Sequence, residues 1–239
     1  MSKFKLFKRN KILYWFYKIQ KIYKNKSPNN HFAEFGEDIM VNRIFKNYSN
    51  GTYVDIGAYH PYKGSLTHKL YKKGWSGINI DISKASIDLF DIARKRDINI
   101  NCAISNFSGN TFYYENSPIN QQNSLIKYDE NQKQVNIKSY KLNEILNLNN
   151  IINVDYVNID TEGTELDIIR GIDFQIIKPL LFTIEDNFFN SNSETKKEKI
   201  DFMNNNNYEL FNVIGVTMFF LKKDMVKNIH NLIKKKFKL

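Results

Sequence analysis

The chain has 239 residues, 42% of them hydrophobic and 14% aromatic. That suffices for one α/β domain with a buried core and excludes a disordered chain. A single cysteine, Cys102, excludes an internal disulfide and a cysteine zinc cluster, and fits a reducing compartment. The net charge of +10 sits at the ends: residues 1–27 hold nine Lys/Arg and no acid, 222–239 hold seven and one Asp, and 28–221 is left at −5. This argues against nucleic acid as the partner, since a nucleic-acid enzyme needs a basic catalytic face.

Residues 1–30 read as a basic amphipathic arm, 31–221 as one catalytic-type domain, and 222–239 as a basic tail. The apolar run "ILYWFY" in the arm is too short for a signal peptide or for the roughly 20 residues of a membrane span. Phe7, Tyr14, Phe16 and Ile19 interleave with Lys8, Lys11, Lys18 and Lys21. Two readings stay open: a helix lying on an anionic membrane surface, or one packing its apolar stripe on the domain. The tail "NLIKKKFKL" poses the same choice. The expected location is the cytoplasm, with the inner face of the membrane as the station for any membrane contact. "NKSPNN" at 25–30 is the joint to the domain.

Helix and strand patterns then alternate. "GEDIMVNRIFKN" predicts a helix, "TYVDI" a strand, and "SLTHKLYKKG" a helix closed by Gly74. "GINIDI" predicts a strand, and "SKASIDLFDIARKR" a helix with Ser83 as its N-cap. "INCAIS" reads as one strand and "NTFYYE" as an added one, while "KSYKLNEILNL" ends in a helix. "VDYVNID" is a strand, "EGTELDIIRG" a helix, "PLLFTIED" a strand and "ETKKEKIDFMN" a helix. "YELFNVIGVTMFFLKK" predicts a closing hairpin around Gly215. The fold class is therefore α/β: a doubly wound, mostly parallel sheet with a C-terminal antiparallel hairpin. In such sheets ligands sit beyond the carboxyl ends of the strands. The acids that end strands are Asp55, Asp81, Asp160 and the pair Glu185–Asp186.

Gly57 follows Asp55 by two residues, and a missing side chain lets a ligand approach the backbone. "DIGAYHP" has one glycine where a dinucleotide fingerprint needs three, and there is no triphosphate-binding loop, so a pyrophosphate cradle is disfavoured. Asp81, at the tip of the second strand, is placed to accept both ribose hydroxyls. Asp55 favours an ammonium or sulfonium nearby. A nucleoside carrying an amino acid and a cationic sulfur is S-adenosylmethionine. A nicotinamide dehydrogenase is disfavoured by the glycine pattern. Methylation of nucleic acid is disfavoured because "IDTE" stands where an N-P-P-Y or D-P-P-Y tetrapeptide would be.

Four blocks, "FAEFGEDIMV", "YVDIGAYHP", "SLTHKLYKKGWSGINID" and "VDYVNIDTEGTELDIIRGID", together resemble the FkbM-type S-adenosylmethionine-dependent methyltransferases over about residues 34–190. Ala33 and Glu34 replace the family's Ser-Gln, and Leu66 replaces an Asn. The resemblance implies a class I methyltransferase fold and O-methylation of a sugar or small hydroxylated metabolite. It implies that Gly57, Ala58 and Tyr59 line the methionine part and that Asp81 holds the ribose. Thr67 is placed either at the methionine carboxylate or as a helix cap. Ala103, Ile104 and Ser105 border the adenine.

Asp160, Glu185 and Asp186 form a second constellation, and three clustered carboxylates repel unless a cation sits among them. Oxygen ligands of this kind suit Mg²⁺ or Mn²⁺, and some class I sugar O-methyltransferases are similar at these positions. The other reading makes Asp160 a helix cap and the pair solvated loop acids. Glu162 and Glu165 sit in the first turn of a helix, where acids suit the dipole, although Glu162 also lies within reach of substrate. His60, in the glycine turn, is the best-placed histidine for a general base, against a structural role in the turn. The polar segment 116–131 is a candidate lid. The expected partner is a small-molecule or sugar acceptor, a nucleotide-activated sugar or surface-glycan precursor included. A methyltransferase-like binding module without turnover is the alternative from another class.

Overall fold

The structure is a computed structural model and describes residues 10–24, 31–186 and 193–227. In chain order the elements are α1 (Lys11–Lys24), α2 (Glu37–Ile44), β1 (Thr52–Ile56), α3 (His68–Lys72), β2 (Ser76–Asp81), α4 (Lys84–Ala93) and β3 (Ile98–Asn101). Then come β4 (Ala103–Ile104), β5 (Gly109–Glu115), β6 (Lys133–Tyr140), α5 (Leu142–Leu148), β7 (Tyr156–Ile159) and α6 (Glu165–Arg170). The last are β8 (Leu181–Glu185), α7 (Ser193–Asn205), β9 (Tyr208–Ile214) and β10 (Thr217–Lys222).

A seven-stranded sheet runs in the order β3-β2-β1-β7-β8-β10-β9. Its first five strands pair in parallel, and β10 is antiparallel to both neighbours. This is the doubly wound sheet with a closing hairpin that the alternation implies. Strands β1, β7 and β8 are almost wholly buried because helices cover both faces. One face packs Val54, Ile78, Val157, Phe182 and Phe220 under α5, α6 and α7. The other packs Tyr53, Trp75, Tyr156 and Phe219 under α2 and α3. Reversal of strand order occurs between β1 and β7, so their carboxyl ends open a crevice.

The structure departs from the expected elements around residue 100. "INCAIS" is two strands: Ile98–Asn101 joins the large sheet, and Ala103–Ile104 joins a separate sheet of order β4-β6-β5. Strand β6 was hidden beside the helix it precedes, although Val135, Ile137 and Ser139 alternate with exposed Asn136 and Lys138. The domain also passes the expected boundary at 221, since β10 runs to Lys222 and Val226 is buried beside Val41 and Phe45. The arm docks on the domain: Tyr14 donates to Asp88 at 2.6 Å, and Ile22 is buried. Phe7, Lys8 and most of the tail lie outside the described residues.

Candidate functional site

The crevice has two compartments that share Gly57, Tyr59, Gln121 and Asp160. The first is a small recess open to solvent. Its lining is largely apolar, from Ile80, Ile82, Ala103, Ile104 and Leu125, with Asp81 and Asp160 as its acids. Asp81 is buried, and its carboxylate accepts from Tyr59 N at 2.8 Å and Ser83 N at 2.7 Å. Burial lifts its pKa to about 6, against those two hydrogen bonds. Each oxygen keeps a second lone pair for a ligand hydroxyl.

The turn after β1 is built to hold this geometry. Gly57 N and Ala58 N both donate to Ile80 O, which folds the chain over the tip of β2. Tyr59 has φ 51, which aims its N–H at Asp81. Gly57 has φ +78, and a Cβ there would collide with the Asp160 carbonyl. The glycine was expected to give a ligand access to the backbone; its decisive role is the close crossing of two strand-tip loops.

The second compartment is acidic. Glu34, Glu37, Asp55, Asp160, Glu162 and Glu185 line it, and among the described residues no lysine, arginine or histidine does. Asp55 is buried with both oxygens used, accepting from Asn158 Nδ2 at 2.9 Å and Thr67 Oγ1 at 2.8 Å. Burial raises its pKa in spite of these partners. Asp160, Glu162 and Glu185 each bring a carboxylate oxygen within 4.8 Å of the others. Asp160 and Glu185 are close neighbours in this trio, and each influences the other's titration. Burial, then repulsion from Glu185, pushes Asp160 far above the usual range. Burial brings Glu185 to about 7, and its Oε2 is buried with no hydrogen-bond partner.

Asp186 is not part of this cluster. Its Oδ1 pairs with Lys199 Nζ at 3.3 Å and its Oδ2 with Lys196 at 3.6 Å. Lys199 is buried and also holds Glu185 O and Glu165 Oε2. Alternation explains the split: β8 sends Glu185 to the crevice, and the next residue turns toward α7. Glu162 takes the third position instead. It has φ 57 and Gly163 φ +109, so the loop after β7 bends back on itself. Glu165 Oε1 fastens that bend by accepting from Thr161 N, Thr161 Oγ1 and Gly163 N.

The structure holds His60 as a turn residue, away from the acid cluster. Its Nδ1 accepts from Tyr62 N at 3.1 Å and Lys63 N at 3.0 Å, and its Nε2 meets Lys21 O at 3.3 Å under α1. It lines neither compartment, and burial lowers its pKa to about 4. Thr67 is also buried away from the crevice and serves Asp55. Its side chain makes no cap hydrogen bond to α3. Ser105 pairs its N with Tyr140 O outside the first compartment, whereas Ala103 and Ile104 line it and Ala58 lines the second.

Segment 116–131 does close over the crevice. Asn120, Gln121, Asn123 and Leu125 line it, and Ser83 Oγ donates to Pro118 O. Ser124 Oγ and Tyr128 OH donate to Glu162 O at 2.9 and 2.5 Å, tying this segment to the acid cluster. The sequence held a signal for one more site residue, Asn158. An amide in a buried strand, two residues before Asp160, needs partners, and it has Asp55 and Thr183.

With this geometry in place, the comparisons decide the family. The Methyltransferase FkbM domain matches residues 55–210. The chain belongs to the FkbM methyltransferases. It is accordingly an S-adenosylmethionine-dependent methyltransferase of α/β fold. Among solved structures it is similar to a Burkholderia thailandensis 1,6-didemethyltoxoflavin-N1-methyltransferase with bound 1,6-didemethyltoxoflavin and S-adenosylhomocysteine. Identity is 10% and the TM-score 0.40, over 92% of this chain and 89% of that one. No curated protein matches this FkbM methyltransferase.

Proposed function

We propose that the enzyme methylates a hydroxyl of a sugar, with S-adenosylmethionine in the first compartment and the acceptor in the second. The observation that carries this reading is one crevice whose two compartments meet at Gly57, Tyr59 and Asp160, with Asp81 in the first and Glu185 in the second. The residues fit the cofactor: Asp81 would accept the ribose hydroxyls, and Ala103, Ile104 and Leu125 would face the adenine. The acidic second compartment suits the positive end of the molecule. When bound, S-adenosylmethionine supplies a methyl carbon on a sulfonium, which an acceptor oxygen attacks in line with the departing sulfur. Glu185, with a pKa raised to about 7, accepts the hydroxyl proton as the new C–O bond forms. The segment bearing Gln121 and Leu125 excludes water. Fixing the two reactants in one crevice contributes most of the rate.

Asp160, Glu162 and Glu185 also fit a divalent cation, because their oxygens converge within 4.8 Å and Glu185 Oε2 is buried without a partner. Mg²⁺ or Mn²⁺ there would polarise the acceptor hydroxyl. The acidic lining favours a neutral or cationic ring at the transfer point and keeps any phosphate of a nucleotide-activated sugar outside it. A precursor of a surface glycan is the acceptor class we favour.

The test is calorimetric titration with S-adenosylhomocysteine, with and without Mn²⁺, followed by transfer of labelled methyl to sugars, amino sugars and nucleotide sugars. Binding and label on a sugar oxygen support the proposal. Binding without turnover on any acceptor makes the chain a binding module.

A further inference from the structure

Helix α1 has two faces. One holds the domain, through Tyr14 on Asp88, buried Ile22, and the Lys21 carbonyl on His60. On the other, Ile12, Trp15, Phe16 and Ile19 recur at helical spacing and share an arc of about 100°. Ile12 is 67% exposed, Trp15 50% and Phe16 59%. Among the described residues nothing covers Ile12, Trp15 and Phe16, while Ile19 is half-buried, and contiguous exposed aromatic surface marks an interaction site. The stripe therefore borders the docked face, with Ile22 next to Trp15 around the helix: Tyr14 and Ile22 turn inward, while Ile12, Trp15 and Phe16 turn out.

Charge identifies the occupant. Residues 1–27 carry nine Lys/Arg and no acid. Lys18 and Lys21 stand over the rings of Tyr14 and Tyr17 at 4.8 and 5.7 Å, on the flank of α1 outside the stripe. The second basic end starts from the same helical layer. Val226 packs with Val41 and Phe45 of the α2 region, and Tyr71 of α3 stacks with Arg94 at the end of α4, on which α1 docks. Residues 222–239 add seven Lys/Arg against one Asp. Aromatic and aliphatic side chains flanked by lysines on a helix too short and too polar to cross a bilayer match an interfacial helix. Among the described residues, no helix is long and apolar enough to span one.

We propose that α1 docks on an anionic lipid surface, with Ile12, Trp15 and Phe16 entering the headgroup boundary and the lysines of both chain ends holding the headgroups. Because the last turn of α1 touches His60, and His60 belongs to the turn that rims the crevice, docking brings the crevice rim to the interface. A hydroxylated acceptor carried on a lipid is thereby presented to the site. This last point rests on the proposed function, but the docking itself does not.

The test uses the full chain and vesicles of phosphatidylcholine alone or with phosphatidylglycerol. The chain has two tryptophans, and Trp75 is fully buried, so a change in emission reports Trp15. We expect sedimentation with anionic vesicles at least about tenfold above neutral ones, a blue shift of Trp15, and a comparable loss in 0.5 M salt as screening shortens to about 4 Å. Ile12→Glu/Phe16→Glu should lose at least about tenfold in binding with an unchanged Tm. The proposal is overturned by no binding to anionic vesicles, or by equal binding of the double variant. It is also overturned if light scattering shows a dimer that the variant abolishes while lipid binding is absent, because the occupant is then a second copy. Vesicle binding without methyl transfer leaves the docking standing and sinks only the proposed reaction.

Discussion

Glu185→Gln tests the acid pair without reference to any substrate. A carboxyl raised from 4.5 to about 7 by folding carries roughly 3 kcal/mol of unfavourable ionisation at alkaline pH. The sign follows from proton counting. Between pH 4.5 and 7 the unfolded chain has lost this proton and the folded protein has kept it, so stability falls as pH rises through that window. Burial of His60 and His68, which lowers both pKa values, pulls the other way below pH 6.5. The difference between wild type and variant cancels those terms. Urea unfolding at pH 5, 6, 7 and 8 should show Glu185→Gln gaining on wild type with each step, to about 2–3 kcal/mol at pH 8. A variant that is less stable at pH 8, or a difference that does not change with pH, would refute the raised Glu185 carboxyl. A divalent cation that binds the three carboxylates should stabilise wild type at pH 8 and not the variant.

Asp81→Ala should weaken S-adenosylhomocysteine binding by tens- to hundredfold, the worth of charge-assisted hydrogen bonds of about 1.5–3 kcal/mol, as read by calorimetry. Gly57→Ala combines a positive φ with a backbone collision at Asp160, so thermal unfolding should show a loss of at least about 3 kcal/mol. In His60→Asn the rise of kcat near pH 7 should persist, because it belongs to the Asp160–Glu185 pair; its disappearance would return the base to His60. Arg94→Leu leaves Asp97 buried without its cation and removes the donors to Pro61 O and Ser65, so urea unfolding should register a cost of about 3–5 kcal/mol.

Local rules made much of the fold legible in the chain. Alternating strand and helix patterns implied the parallel sheet, and the hairpin at Gly215 followed from two β-rich runs. Ser83 does cap α4, accepting from Ser86 N. The acids at strand tips were visible because strand ends are set by short-range pattern, and the fold then carries every such tip to one edge. What stayed hidden depends on contacts between distant segments. The small sheet pairs residues 103–104 with 139–140, and nothing near residue 103 announces that partner.

The same division runs through the site. Sequence alone determined that Asp55, Asp81, Asp160 and Glu185 would gather at the crevice, because each ends a parallel strand. Only tertiary structure decided their company. Lys199, contributed by α7, draws Asp186 and Glu165 out of the cluster, and a loop with two positive φ values puts Glu162 in. His60 looked available from its place in the glycine turn, but α1 covers it and two backbone N–H groups occupy its Nδ1. Pattern assigns a residue to a strand end, whereas the direction of its side chain and its remaining lone pairs depend on which neighbours the folded chain brings within 3 Å.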